Sequence, residues 1–285
     1  MEKETAKKTS VILPFVQGGL TGLLTTAVPW LSFSFLYKVA AHQIPPKEIA
    51  LFHFFKKRFP TLLLTISTSR ASKFGSFEIF KQILEAANNG RPLTLYQEAS
   101  CGMAAGAVGS IFGCPISLAC HRIEANANLM SVRHSYLRNL LLDLCRTTKD
   151  NGFLAIYRGG APYTAFAIGY STGMFASYGP SVSYFKESWG LNSSSSQHRA
   201  AIVSGLFASA CSLPFKNLAY AIKAVQESEK LQCKSFFDCT MKSFEIYGHT
   251  ILYKGFMNHL FQTSIPVATT WICFEYMRDV FHNRP

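Results

Sequence analysis

Two basic residues inside an apolar segment are the first candidates for chemistry in this sequence. Arg70 and Lys73 interrupt the apolar run that begins near Phe59. An ionisable side chain in such a segment is expected to face a watery interior, where a cation can attract an anion. The sequence leaves a second interpretation open, in which Arg70 pairs with an acidic residue or extends to the surface.

The other residue types that carry chemistry lack the spacing of an active site. The eight Cys residues include no Cys-x-x-Cys pair, and most lie in apolar stretches, which favours buried thiols over zinc ligands or disulfides. The eight His residues also lack the spacing of metal ligands. No phosphate-binding glycine loop, nucleophile elbow or pair of catalytic carboxylates is present. We therefore predict no enzymatic activity, no bound metal and no cofactor.

Long uncharged stretches must position Arg70 and Lys73. Residues 10–37 and 99–120 contain no formal charge, and about 20 such residues are enough to cross the hydrocarbon core of a bilayer. Only 15% of the chain is charged, against roughly 25% in soluble domains. The sequence predicts an all-α membrane protein with six spanning helices, which cover residues 10–37, 59–80, 95–126, 162–185, 198–225 and 260–281. Amphipathic helices are expected at 135–150 and 236–247, a short helix at 47–57, and a Ser-rich loop at 192–197.

A pattern of two small residues and a proline recurs along the chain. Its copies are Gly18, Gly22 and Pro29; Gly106, Ser110 and Pro115; and Gly205, Ser209 and Pro214. On the third predicted helix, Gly102, Gly106, Ser110 and Cys114 share one face, which lets a neighbouring helix approach closely. The recurrence predicts three repeats. We place them at residues 10–94, 95–191 and 192–285, after a tail at 1–9.

Two further motifs recur. The first joins a glycine to an aromatic-basic-glycine triplet, at Gly152 with Tyr157, Arg158 and Gly159, and again at Gly248 with Tyr253, Lys254 and Gly255. The second is Phe77, Glu78 and Lys81, which returns as Phe274, Glu275 and Arg278. Their constant internal spacing supports the division into repeats.

The net charge of +12 is unevenly distributed. More than half of the 28 Lys and Arg residues lie in the three long connections, and few lie in the two short loops. This asymmetry is typical of a multi-pass membrane protein, with the long connections on the inner side. No nucleic-acid-binding motif offers another use for the charge, so we predict no nucleic-acid partner.

These features resemble the mitochondrial solute carrier family over nearly the whole chain. The resemblance implies six transmembrane helices in three pseudo-symmetric repeats, each with two spanning helices and a short matrix helix. It also implies the mitochondrial inner membrane, termini toward the intermembrane space, and a central cavity that opens alternately to either side. The two glycine motifs look like the family's cardiolipin-binding sites, so cardiolipin is the expected bound lipid. The alternative is that these glycines merely end helices.

The sequence departs from the family at the gates. In carriers the proline of each odd helix is followed by an acid two residues on and a base five residues on. The corresponding residues here are Leu31, Ser34, Ser117, Cys120, Lys216 and Ala219, so the ion pairs of that gate are missing. On the opposite side Glu78, Lys81, Glu275 and Arg278 remain, but the fourth helix has Gly179 and Val182. At most the ion pair between the second and sixth helices is expected to survive.

The family's substrate-contact positions are also altered. By the family register they are Thr65, Phe166 and Gln262, none of which is charged. The basic candidates for the cavity are Arg70, Lys216 and Lys223.

Two functions follow from the resemblance and its departures. The first is a degenerate carrier that no longer alternates between two states and serves as a structural or docking subunit of a respiratory complex in the inner membrane. The second is a divergent transporter of a small anionic metabolite.

Overall fold

The structure is a computed structural model that describes residues 12–27, 46–89, 91, 93–125, 136–157, 160–190, 192–227 and 236–282. Within these ranges the chain is helical, with short turns between elements. The helices are α1 (Ile12–Ala27), α2 (Pro46–Ala87), α3 (Leu95–Ala125), α4 (Tyr136–Asn151), α5 (Ala161–Trp189), α6 (Ser193–Glu227), α7 (Phe236–Tyr247) and α8 (Phe256–His282). Two short 3-10 helices, Phe153–Tyr157 and His249–Tyr253, follow α4 and α7.

This architecture confirms the predicted all-α fold. The long helices α2, α3, α5, α6 and α8 pack in chain order, each against the next. The amphipathic helices α4 and α7 lie where the sequence predicts them. By length and composition alone, Leu95–Cys120 and Ser193–Ala221 are the described segments that pass a test for membrane spans. Pro29, Leu31 and Ser34 lie outside the described residues.

Two predicted boundaries are wrong. The short helix expected at 47–57 and the second spanning helix form one continuous α2, which runs through Pro60. A proline removes one backbone hydrogen bond, and a long helix can continue past that loss. The Ser-rich stretch expected as a loop is the first turn of α6, where the Ser196 amide donates to the Asn192 carbonyl at 3.0 Å. Serine is favoured at helix starts, because its hydroxyl can satisfy free backbone groups there.

Glycines bring the helices into close contact, as the small-residue pattern predicts. A Cβ atom on Gly106 of α3 would lie 2.8 Å from the Ala167 carbonyl oxygen of α5. The equivalent atom on Gly22 of α1 would lie 2.6 Å from Ser67 Cα of α2, and that on Gly205 of α6 would lie 2.7 Å from Ser264 Cα of α8. In each case the first long helix of a predicted repeat packs, backbone to backbone, on the second long helix of the same repeat.

Gly22→Ala is expected to destabilise the protein by about 1–3 kcal/mol, because the added methyl group overlaps the α2 backbone. Gly19→Ala on the same helix is the matched control, since its Cβ would meet Ala71 Cβ at an ordinary 3.5 Å. Thermal unfolding in detergent should show a lower midpoint for Gly22→Ala alone. Equal midpoints for the two variants would contradict the close packing of α1 on α2.

An aromatic cluster packs where the middle parts of α2, α5 and α8 meet. It consists of Phe74, Phe77, Phe175, Tyr178, Trp271 and Phe274, all nearly buried. The Phe77 and Phe175 rings stack with centroids 4.0 Å apart, and the Tyr178 and Trp271 rings stack at 3.6 Å. Phe74 contacts both Phe175 and Phe274. Side-chain packing therefore joins three helices from distant parts of the chain.

Candidate functional site

Arg70 and Lys73 lie on α2 directly beneath the aromatic cluster. Arg70 donates a hydrogen bond to the Thr25 hydroxyl of α1 and is near Tyr170 of α5 and Cys273 of α8. The Lys73 stem crosses Gly109 of α3, and its ammonium lies 5.1 Å from the centre of the Tyr170 ring. Arg70 therefore bonds to α1 and lies near residues of two further helices, as expected for a residue that faces the interior.

A second polar cluster joins α6 to α8. The Lys216 ammonium lies 3.1 Å from Nδ1 of His259 and 3.5 Å from the side-chain oxygen of Gln262. On the other side of the imidazole ring, Nε2 of His259 lies 3.0 Å from the Ser212 hydroxyl. His259 is only 4% exposed, whereas Lys216 is half-buried. We call Ser212, Lys216, His259 and Gln262 the α6–α8 cluster.

Two aromatic residues of α5 connect the two basic regions. Phe166 lies one helical turn from Tyr170, with ring centroids 6.1 Å apart, and 6.4 Å from the His259 ring. Tyr170 in turn contacts Lys73. The Lys73 and His259 contacts are therefore about 6 Å apart along α5. Both lie on the same face of that helix.

The predicted contact positions fall into this region unequally. Gln262 belongs to the α6–α8 cluster, and Phe166 contacts that cluster through His259. Thr65 lies half-buried on α2, five residues before Arg70. Lys223 belongs to α6, two turns beyond Lys216, and its side chain lies outside the described part of the structure.

The cations of this region have no acidic partner among the residues that the structure describes. The ion pairs among the described residues join Lys81 to Glu85, Lys242 to Asp238 and Arg278 to Glu275. Arg70 and Lys216 contact neutral oxygen and nitrogen atoms instead, and Lys73 contacts an aromatic ring. Positive charge inside a membrane protein is costly unless an anion or water compensates it. The region is thus suited to bind an anion.

The charged residues near the aromatic cluster differ from the expected arrangement. Lys81 pairs with Glu85 at 3.9 Å within α2, and Arg278 pairs with Glu275 within α8. Glu78 lies near Arg278, but no ion pair joins α2 to α8 in the described residues. The pair between the second and sixth helices is therefore not formed in this structure.

Hydrogen bonds from two other helices bind Glu275, whereas its ion pair lies within α8. Tyr178 of α5 donates to its carboxylate at 2.9 Å, and Gln197 of α6 donates at 3.2 Å. On α5, where the family pattern expects an acid, the space beside Gly179 is occupied by the Glu98 carboxylate of α3. Neutral hydrogen-bond donors and packing therefore connect the helices around Glu275.

The first glycines of the two recurring glycine motifs adopt the left-handed backbone conformation. Gly152 has φ of +83° and Gly248 has φ of +69°, and each ends an amphipathic helix. A Cβ atom at either position would meet nothing within 4 Å. Tyr157 donates to the Ile111 carbonyl at 2.9 Å, and Tyr253 is exposed. Lys254 and Gly255 form the turn before α8, and Arg158 and Gly159 lie outside the described residues.

Sequence reasoning placed Lys73 in a segment that should face a watery interior, but it did not name Lys73, Tyr170 or His259 among the cavity residues. Lys73 follows Arg70 by three residues, and His259 precedes Gln262 by three, so each shares a helix face with a predicted residue. That spacing could have identified both. Tyr170 follows the predicted contact residue Phe166 by four positions and so carries the same signal.

Comparisons with known proteins give one consistent result. The family model for mitochondrial carrier protein matches residues 91–188 and 192–285. The chain is 30% identical to the mitochondrial dicarboxylate/tricarboxylate transporter DTC of Arabidopsis thaliana over 92% of this chain and 91% of the relative. It is 26% identical to a probable mitochondrial 2-oxoglutarate/malate carrier protein of Dictyostelium discoideum, covering 94% and 89% of the two chains. The human mitochondrial 2-oxoglutarate/malate carrier protein is 27% identical over 77% of this chain and 70% of its own.

Proposed function

This chain belongs to the mitochondrial carrier protein family, and we propose that it transports small organic anions, with dicarboxylates as the first substrates to test. Family membership confirms the prediction that it is not an enzyme. The proposal includes a multi-pass location in the mitochondrial inner membrane with both termini toward the intermembrane space. It favours the transporter over the docking subunit, since the similar proteins are named as transporters and carriers.

The cations that have no acidic partner among the described residues carry this proposal. Arg70 and Lys73 lie in the interior, one helical turn before the aromatic residues of α2. Lys216 contacts His259, which lies beside Phe166 of α5. A carboxylate that binds there would gain charge-assisted hydrogen bonds from the guanidinium and ammonium groups. A purely structural subunit would gain nothing from unneutralised cations in a membrane, where apolar residues would cost less.

The missing gate charges do not oppose transport. Alternating access needs two states of similar free energy, and exposed ion pairs contribute only about 1 kcal/mol or less each. The aromatic cluster and the hydrogen bonds to Glu275 can hold α2, α5, α6 and α8 together by packing in one of these states. Packing contacts can break and re-form between states, as ion pairs do. These contacts are a physical substitute for the family's ion pairs on the side of Glu275.

Binding by itself can be tested on purified protein. Malate, 2-oxoglutarate and citrate should each be added during thermal unfolding in a cardiolipin-containing detergent. A ligand at ten times its dissociation constant should stabilise the folded state by about 1.4 kcal/mol and raise the midpoint. Lysine hydrochloride at equal ionic strength is the control for salt and for a cationic ligand. No shift with any anion would contradict the proposal.

Cardiolipin is the lipid that we propose for the two glycine motifs. Substitution of both Gly152 and Gly248 by Val should reduce the cardiolipin that copurifies, because the side chains would enter open space at the helix ends. Val is also strained at positive φ, so Gly190→Val is the matched control, since Gly190 has φ of +58° and open space but lies outside the motifs. Lipid mass spectrometry gives the readout. Equal cardiolipin in the double variant and wild type would rule out these sites.

A further inference from the structure

The α6–α8 cluster has a fixed order of hydrogen bonds. The Ser212 hydroxyl donates to the Ser209 carbonyl at 3.4 Å, so its oxygen is free to accept from Nε2 of His259. The Lys216 ammonium has only protons to donate, so Nδ1 of His259 must accept from it. These directions assign a neutral His259 with its proton on Nε2. Lys216 is thus held by a base that could itself carry a proton.

Burial and the positive charge of Lys216 together keep His259 neutral in this arrangement. Two cations whose nitrogen atoms are 3.1 Å apart would repel each other strongly inside a buried site. Of the described residues that contact His259, Lys216 is the one that carries a charge. The other neighbours are Phe166 from α5, Ser212 from α6 and Thr263 from α8, and none carries a charge at neutral pH.

We infer that Lys216 is a second anion-binding group of the cavity and that an anion which binds it brings a proton onto His259. This inference rests on the proposed function. The carboxylate would accept a hydrogen bond from the Lys216 ammonium and neutralise its charge, so that the imidazole can take a proton from solvent at Nδ1. The Nε2 proton stays on its bond to Ser212. The protonated ring then donates to the anion, so that one carboxylate group and one proton enter this subsite together.

Geometry supports access to this subsite. Lys216 is half-buried and Gln262 is exposed, so the cluster opens on one side. Phe166 separates it from Tyr170 and Lys73 by about one helical turn. An anion with two charged ends could therefore contact Lys216 while its other end lies toward Arg70 and Lys73.

Calorimetric titration of the full chain with malate tests the inference. The titration is run at pH 6.5 in Mes and in Bis-Tris, whose heats of ionisation differ. Protons should be taken up as malate binds, so the measured heat should change with the buffer. His259→Gln should bind malate with no buffer dependence. His198→Gln, at an exposed histidine near the other end of α6, should behave as wild type.

Lys216→Gln should bind malate about tenfold more weakly or worse, because one charge-assisted hydrogen bond is lost. Wild-type binding with the same heat in both buffers would overturn the proton step, as would uptake that persists in His259→Gln. Unchanged affinity in Lys216→Gln would overturn the subsite. If neither malate nor 2-oxoglutarate binds wild type at all, the proposed function fails together with this inference. Because the wild-type comparison alone decides the proton step, a variant that does not fold leaves the test intact.

Discussion

Arg70→Gln is expected to lower the exchange of malate across liposome membranes by roughly 10- to 100-fold. The guanidinium contacts Thr25 through one of its five N–H donors, which leaves the remainder for a ligand. A charge-assisted hydrogen bond to a carboxylate contributes about 1.5–3 kcal/mol, which corresponds to this loss. Initial rates over a range of malate concentrations would show whether the loss lies in KM, in the maximal rate, or in both.

Two variants separate the loss of charge from general damage. Arg70→Lys keeps the charge and should recover part of the rate, although it lacks the planar fork of donors. Lys149→Gln removes a cation from the exposed end of α4 and should exchange malate as wild type does. Exchange by Arg70→Gln at the wild-type rate would show that Arg70 is not part of the anion site.

Trp271→Ala is expected to destabilise the protein by about 3–5 kcal/mol, the usual cost of removing a buried large aromatic side chain. Trp271 is 5% exposed, stacks on Tyr178 and contacts Phe74 and Phe175. Its indole N–H donates to the Ser204 hydroxyl at 2.9 Å, and that hydroxyl also donates to the Met174 carbonyl. The loss should therefore come mainly from packing.

Trp189→Ala is the control of matched chemistry. Trp189 is 57% exposed at the end of α5, where Arg199 lies 5.0 Å from its ring, and that contact is worth about 1 kcal/mol or less. Thermal unfolding of both variants in the same detergent should place Trp271→Ala far below Trp189→Ala. Similar midpoints would mean that the aromatic cluster does not stabilise the packing of α2, α5 and α8.

Hydrophobic pattern and spacing were enough to predict the fold. The uncharged run at 99–120 lies within α3, and the small residues at Gly102 and Gly106 contact α5 as expected. Helix ends were less predictable, since serine is common both in loops and in the first turn of a helix. The continuation of α2 through Pro60 was also missed, because a proline alone does not show whether a helix bends or stops.

The site could be predicted only in part. Charge inside an apolar segment identified Arg70, and the family register identified Lys216 and Gln262, but neither indicated their partners. His259 holds Lys216 because α6 and α8 lie side by side, a contact that joins residues 43 positions apart. Likewise Glu98 fills the space beside Gly179 through packing between α3 and α5. Such contacts depend on three-dimensional packing, which periodicity does not encode.

Counter-exchange in cardiolipin-containing liposomes tests the central claim most directly. Purified protein is reconstituted with internal malate and supplied with labelled malate, 2-oxoglutarate, citrate, phosphate, nucleotides or amino acids outside. The account predicts saturable uptake of dicarboxylates that requires an internal counter-substrate and is lost in Arg70→Gln. No exchange of any anion by protein that unfolds cooperatively, together with a native mass that places the chain in a large inner-membrane assembly, would contradict it and favour the docking subunit.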